Sequence, residues 1–181
     1  KRTYRGYGVS GAASYADPRT ITTTYESTYR LFPIETCTAV GTPLRRCTQV
    51  SYYGAGDPNG LFGQVRRVTY PNSATSEFRY DRFGRLTAVK APDDAGWAPG
   101  QVTTRYAYLD LGQVGKLRVV SWSGRDSSWQ ETLFDGLGRT IQTHVLAEGS
   151  LVVQDTAYDE QGRPVTVTVP YTVAATGGSY L

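Results

Sequence analysis

The stretch YDRFGRL, Tyr80–Leu86, governs the reading of the whole chain, because it recurs as FDGLGRT at Phe134–Thr140 and as YDEQGRP at Tyr158–Pro164. Each copy runs aromatic, Asp, two variable residues, Gly, Arg, and each sits between segments of strand character: SEFRY leads into Asp81 and RLTAV leads out of Gly84. The motif therefore reads as a β-hairpin tip. Asp81, Asp135 and Asp159 suit the first turn position, where a carboxylate accepts hydrogen bonds from backbone N–H groups further round the turn. Gly84, Gly138 and Gly162 suit a left-handed residue or a bulge, where a Cβ is costly. Tyr80, Phe134 and Tyr158 before the tip, with Arg85, Arg139 and Arg163 after it, are expected to meet across the hairpin base and stack, each guanidinium reaching a carboxylate or carbonyl. Pairing of the three Asp residues as acid and base is the competing reading, and their sequence spacing gives it no support.

Outward from the motif, period-two alternation recurs. It is cleanest in VTVTVPY, where Val165, Val167 and Val169 share one face and Thr166 and Thr168 the other, which predicts a half-buried strand. Further strand candidates begin at Ile21, Cys47, Gly63, Ser76, Arg85, Val102, Lys116, Ser128, Arg139 and Ser150. No segment combines a helical apolar period with caps, so little or no helix is expected. The aromatic positions Tyr80, Phe134 and Tyr158 lie 54 and 24 residues apart, leaving room for a degenerate copy, for which YLDLGQVGKLRVV, 108–120, is the candidate. A second degenerate copy is YYGAGDPNGLFGQV, 52–65, with an insertion after the aromatic. A short repeat holding one hairpin cannot bury a face alone and must stack on its neighbours.

Composition points the same way. The 14 Tyr and 20 Gly among 181 residues, with abundant Thr and a single His, favour strands joined by turns. The 19 basic and 16 acidic residues give +3, and the basic ones are scattered apart from Arg45-Arg46 and Arg66-Arg67, so nucleic-acid binding is not expected. No apolar run approaches the roughly 18 to 20 residues of a membrane helix, so no membrane insertion is expected, and KRTYRGYG lacks a signal-peptide core. The missing initiator Met and the abrupt ends suggest a piece of a longer protein, with room for any export signal outside it.

Cys37 and Cys47 are the only cysteines, which excludes a four-cysteine zinc site within one chain. In CTAVGTPLRRC, Gly41, Thr42 and Pro43 fall midway between them; a hairpin centred on Thr42 would set the two across from each other, where a disulfide can form. A bridge would indicate an oxidising compartment, and two free thiols are the alternative.

The repeated motif, with DGLGRTIQT followed by YDEQGRPVTVTVPY and preceded by TYESTYRLFP, resembles the YD repeats of RHS-repeat proteins. The wording is similar to the RHS region of the B component of insecticidal toxin complexes and related bacterial virulence proteins. The resemblance runs from about Thr24 to Tyr171. It implies an all-β fold of repeated antiparallel hairpins forming a spiralling, curved sheet that in large members encloses a polypeptide. This chain would be an arc of such a shell, with residues 24–181 as the repeat segment and 1–23 as N-terminal strand. Its sheet edges would pair with neighbouring repeats or other copies, and its location would be secreted or cell-surface. Some RHS cores end in an Asp-Pro-x-Gly-Leu motif cut by acidic residues; Asp57–Leu61, DPNGL, matches the letters but lies early, and Asp-Pro-Asn-Gly is an ordinary turn sequence.

Two further features each have a simpler reading beside a functional one. His144, in RTIQTHVL, has no neighbouring nucleophile in the sequence and reads as a strand-face histidine. Trp97, in PDDAGWAPGQ, sits among turn residues and is the best candidate for a partner contact, a glycan included, with cross-strand packing as the competing reading for the tryptophans. No phosphate-cradling GxxxxGK is present. The expectation is a non-enzymatic structural module without cofactor or metal; adhesion through exposed aromatics is the alternative, and autoproteolysis a distant third.

Overall fold

The computed structural model describes residues 20–98, 101–124, 128–147 and 149–174. No helix occurs among them, and the chain divides into two compact units between Asp93 and Asp94. The first unit contains β1 (Thr22–Tyr25), β2 (Pro33–Thr38), β3 (Arg46–Tyr52), β4 (Val65–Thr69), β5 (Thr75–Tyr80) and β6 (Leu86–Lys90). Each strand pairs antiparallel with the next in chain order. The second contains β7 (Thr104–Leu109), β8 (Arg118–Ser123), β9 (Trp129–Phe134), β10 (Thr140–Ala147), β11 (Ser150–Tyr158), β12 (Pro164–Val167) and β13 (Tyr171–Ala174). There β7 to β11 also pair in chain order, and β11 then takes two partners, β13 along Ser150–Val153 and β12 along Thr156–Tyr158.

In an antiparallel meander every second connection falls on the same edge. In the first unit that edge carries the tips at 26–32, 53–64 and 81–85; in the second it carries 110–117, 135–139 and 159–163. The three full motif copies and both degenerate copies are among these six. At the aromatic entering each full copy the pairing register slips, between Arg79 and Tyr80, between Thr140 and Gln142 opposite Phe134, and between Ala157 and Tyr158. This is the bulge that a left-handed Gly introduces, and Gly84, Gly138 and Gly162 have φ of 81°, 79° and 79°.

Most side chains are half-buried. Val102, Val120 and Cys37 are the most fully enclosed. In the second unit the register sets Val120 opposite Glu131, and His144 opposite both Glu131 and Val153, which places Val120, Glu131, His144 and Val153 on one face.

The VTVTVPY reading needs correction. Its strand stops at Val167 and a separate strand begins at Tyr171. Pro170 has no N–H to continue a ladder. Val165, Val167 and Val169 are 62, 56 and 84% exposed rather than half-buried. The alternation is present, but β12 has only β11 beside it among the described residues, so no neighbour covers its valines. Residues 1–19 of the expected N-terminal segment 1–23 lie outside the described residues, and the rest of it opens β1.

Candidate functional site

The three motif copies adopt one geometry. Asp81 Oδ1 accepts the backbone N–H groups of Phe83 (2.8 Å) and Arg85 (3.0 Å), while its Oδ2 accepts Arg85 Nε at 2.7 Å. Asp135 does the same with Leu137 and Arg139 N–H (both 2.9 Å) and Arg139 Nε (2.7 Å). Asp159 repeats it with Gln161 N–H (3.0 Å), Arg163 N–H (2.8 Å) and Arg163 Nε (2.7 Å). In every copy the Asp N–H donates to the Arg carbonyl at 2.9 Å, closing the loop.

These bonds depress the Asp pKa values. At Asp81 burial pushes upward and is outweighed by the hydrogen bonds from Arg85 and Phe83; at Asp135 and Asp159 the backbone N–H of the following Arg is the leading cause. An ion pair as open as Asp81–Arg85 contributes about 0–1 kcal/mol, so the carboxylate-to-amide bonds, each worth about 1 kcal/mol net, hold that tip at least as firmly. Each carboxylate is thus committed to its own turn, not to a partner acid.

Aromatic and Arg side chains of the motif also meet between copies. Arg139 lies over the ring of Tyr158, from the next copy, with its guanidinium carbon 4.5 Å from the centroid. Tyr80 meets Tyr53 of the preceding tip edge-on at 6.2 Å, and Arg85 turns to Asp81 and to Phe83 (5.1 Å).

An interlock emerges, which sequence reasoning missed. In four places a side chain of one tip lies over a glycine of the next; at Gly63, Gly84 and Gly162 this is the left-handed glycine, while at the fourth it is Gly136 and the left-handed Gly138 of the same tip has open space. A Cβ on Gly63 would fall 2.8 Å from the Phe32 ring, one on Gly84 3.1 Å from Gln64 Nε2, one on Gly136 2.8 Å from Val114, and one on Gly162 3.1 Å from Arg139 Nη1. Gln64 also donates through Nε2 to the Gly84 carbonyl (2.8 Å) and accepts the Leu61 N–H (2.7 Å) through Oε1. The first tip is a further degenerate copy. Glu26 takes the place of Asp, accepting the N–H groups of Thr28, Tyr29 and Leu31, and Arg30 takes the left-handed position at φ 57°. Those amide bonds outweigh the upward push of burial and lower the Glu26 pKa. The signal available in the sequence was YES in TYESTYRLFP, an aromatic followed by an acid.

The second unit adds a polar row across its strands. Arg118 bonds Asp110 through Nε (2.8 Å) and Glu131 through Nη1 (2.9 Å). Glu131 holds His144 Nδ1 at 2.9 Å, Gln142 Oε1 meets His144 Nε2 at 2.7 Å, and Gln142 Nε2 donates to Asp155 (2.5 Å), which also accepts Tyr171 O–H (2.8 Å). Glu131 is 2% exposed. The hydrogen bond from Asp110 leads in raising the Arg118 pKa, and those from Gln142 and Tyr171 lower that of Asp155. With every side chain bonded to a neighbour and no nucleophile in the row, it ties strands together. His144 is a strand-face residue within it.

Cys37 and Cys47 sit at directly paired positions of β2 and β3, with Cα atoms 4.1 Å apart, and are joined by a disulfide. Glu35 is the third ligand-type group close by, but with both sulfurs bonded to each other it is left as a lone carboxylate. At Asp57, Oδ1 accepts the Asn59 N–H at 2.9 Å, forming an Asx turn, and the Tyr53 ring packs so closely on Gly60 that a Cβ there would lie 2.3 Å from it. DPNGL is here the inserted part of a tip. Trp97 is half-buried in a loop whose Asp94 accepts both the N–H (2.6 Å) and the hydroxyl (2.7 Å) of Thr103.

Residues 62–95 match the family model described as RHS Repeat, and residues 113–181 match a domain of unknown function, DUF6443. No curated protein matches the chain. Among solved structures, the crystal structure of TcdB2-TccC3 is similar over 85% of this chain, with a TM-score of 0.64 and 17% identity. The matched part is 10% of that chain, so this chain spans about a tenth of the length of the protein it resembles. The likeness shows that the two share a fold.

Proposed function

We propose that this chain is a segment of an RHS/YD-repeat protein and acts as a non-enzymatic structural module, a length of β-repeat wall or scaffold in a secreted or surface-exposed bacterial protein. The observation that carries the proposal is the interlock of tips. At three tips a side chain of the preceding hairpin, Phe32, Gln64 or Arg139, lies against the left-handed glycine of the following one. Such a module extends by adding hairpins, and enclosure of a polypeptide would be a property of the longer assembly. The non-enzymatic reading is supported by the commitment of Asp81, Asp135 and Asp159 to their own turns.

The proposal is tested at the edge strand β12, whose exposed valines are suited to receive a neighbouring strand or repeat. Sedimentation over a concentration series should show self-association that Val167→Lys abolishes. A chain that stays monomeric at every concentration, yet binds a defined glycan and loses it on Trp97→Ala, would replace the scaffold reading with adhesion.

A further inference from the structure

The tips of the first unit carry a second pattern. The residue immediately before the left-handed position is a large apolar one in each: Tyr29 before Arg30, Phe62 before Gly63, Phe83 before Gly84. These side chains are 57, 51 and 64% exposed, and Leu31 and Leu61 beside them are 72 and 46% exposed. They are also contiguous. Tyr29 meets Phe62 edge-on at 5.3 Å, and Leu61 lies 3.2 Å from where a Cβ of Gly84 would be. Turn chemistry asks for nothing apolar there, since the bonds that close these tips use backbone groups and polar side chains, the acid with Gln64 or Arg85.

The charges around the stripe are sorted. The carboxylates of Glu26, Asp57 and Asp81 are half-buried and turned onto backbone N–H groups of their own tips. Arg30 and Arg82 are exposed and have no carboxylate partner among the described residues; Arg82 lies over the Phe83 ring at 5.0 Å. The outward surface is therefore apolar with guanidinium groups at its rim.

We propose that this tip edge docks on an anionic lipid surface, Phe62, Phe83, Tyr29 and the two leucines entering the headgroup boundary while Arg30 and Arg82 take lipid phosphate or carboxylate groups. The chemistry favours lipid over the other occupants. The apolar groups stand on turn tips, which enter a deformable interface, whereas an extended peptide needs a groove. Leu31 and Leu61 lack the flat faces that stack on sugar rings. Exposed guanidinium groups beside apolar tips, Arg82 with its head over the Phe83 ring, match a headgroup layer. The attachment is one side chain deep and distinct from a spanning segment.

The test is co-sedimentation of the full chain with vesicles of phosphatidylcholine alone and of phosphatidylcholine mixed with phosphatidylserine. Partitioning should favour the mixed vesicles and weaken with salt. Phe83→Ser, at a side chain whose contacts are with Arg82 and Arg85, should lower it about tenfold. Arg30→Gln and Arg82→Gln should each remove roughly fivefold of the preference for mixed vesicles, and circular dichroism should show all three variants folded. Equal or absent binding to both vesicle types, or binding unchanged in the variants, overturns the proposal. Binding to a soluble acidic polypeptide or a glycan array with no vesicle binding overturns it too, and reassigns the stripe.

Discussion

The two units solve one packing problem with different chemistry. In the first, the contact of one tip on the next is made by a phenyl ring (Phe32 on Gly63) and a primary amide (Gln64 on Gly84); in the second, by a valine (Val114 on Gly136) and a guanidinium (Arg139 on Gly162). Between strands the first has a disulfide, where the second has the polar row from Arg118 to Tyr171, buried at Glu131. What repeats is a shape, a missing Cβ under a side chain that spans the gap. The charges of the written motif are one way of filling it. A repeat can therefore drift far in sequence while keeping the same neighbour-to-neighbour fit.

The largest effect is expected where the second unit differs most. Glu131→Ala would remove the acceptor that Arg118 and His144 share, two hydrogen bonds to a charged group at about 1.5–3 kcal/mol each. Denaturant unfolding should show that loss, and Glu131→Gln, which keeps an acceptor oxygen, should show clearly less. Equal costs for the two would mean that the row works by packing and not by charge.

The corresponding cut in the first unit is smaller. Removing the bridge with Cys37→Ser and Cys47→Ser together releases a loop of sequence separation 10, for which about 2–3 kcal/mol is expected. Amide exchange should place the loss on β2 and β3 and leave the second unit unchanged. Spread of the effect into β8 to β11 would contradict the separate accounting of the units.

The interlock itself is tested by two glycines in equivalent left-handed turns. Gly63 and Gly112 have φ of 80° and 81°, so Ala costs about 1 kcal/mol at each for backbone conformation. A Cβ at Gly112 meets nothing within 4 Å, whereas one at Gly63 meets Phe32 at 2.8 Å. Gly63→Ala should therefore be the more destabilising by about a further 1 kcal/mol. Phe32→Ala in the same chain should remove that excess. Equal costs in the two turns would reduce the interlock to proximity without force.

How much of this was legible depended on whether a residue's role was local. Asp81 and Gly84 are explained by their own four-residue turn, and so is the bulge at Tyr80; period-two runs such as Thr104–Leu109 likewise predict their own strand. The hairpin centred on Thr42 is local in the same sense, and its symmetry brings Cys37 to Cys47. Roles that cross strands were not legible. Nothing near His144 in sequence indicates Glu131, 13 residues away, and the partner of Arg139 is the ring of Tyr158 in the next hairpin. The valines of β12 show the converse, since alternation reports a face but not whether anything covers it. Glu26 with Arg30 escaped because the motif was read by its letters, while the fold keeps only an acid and a left-handed residue.

The smallest expected effect concerns acid. The depressed carboxylates are Glu26 and Asp81 in the first unit and Asp135, Asp155 and Asp159 in the second. A carboxylate whose folded pKa lies below its unfolded value, about 4, contributes stability that is complete above that value and lost as pH falls through the folded one. Both units should thus be insensitive to pH between about 8 and 5 on account of these groups, and weaken below about 4. The second should weaken more, because among the described groups it has three to the first's two, and one of them, Asp155, anchors Gln142 and Tyr171 across two strand pairs. Amide exchange of the tip N–H groups of Phe83, Leu137 and Gln161, followed from neutral pH to pH 3 and corrected for intrinsic rates, reads each unit separately. Larger loss of protection at Leu137 and Gln161 than at Phe83 is the expected outcome. Equal loss would mean that acid lability is set tip by tip, with the strand-crossing bonds of Asp155 contributing nothing to it.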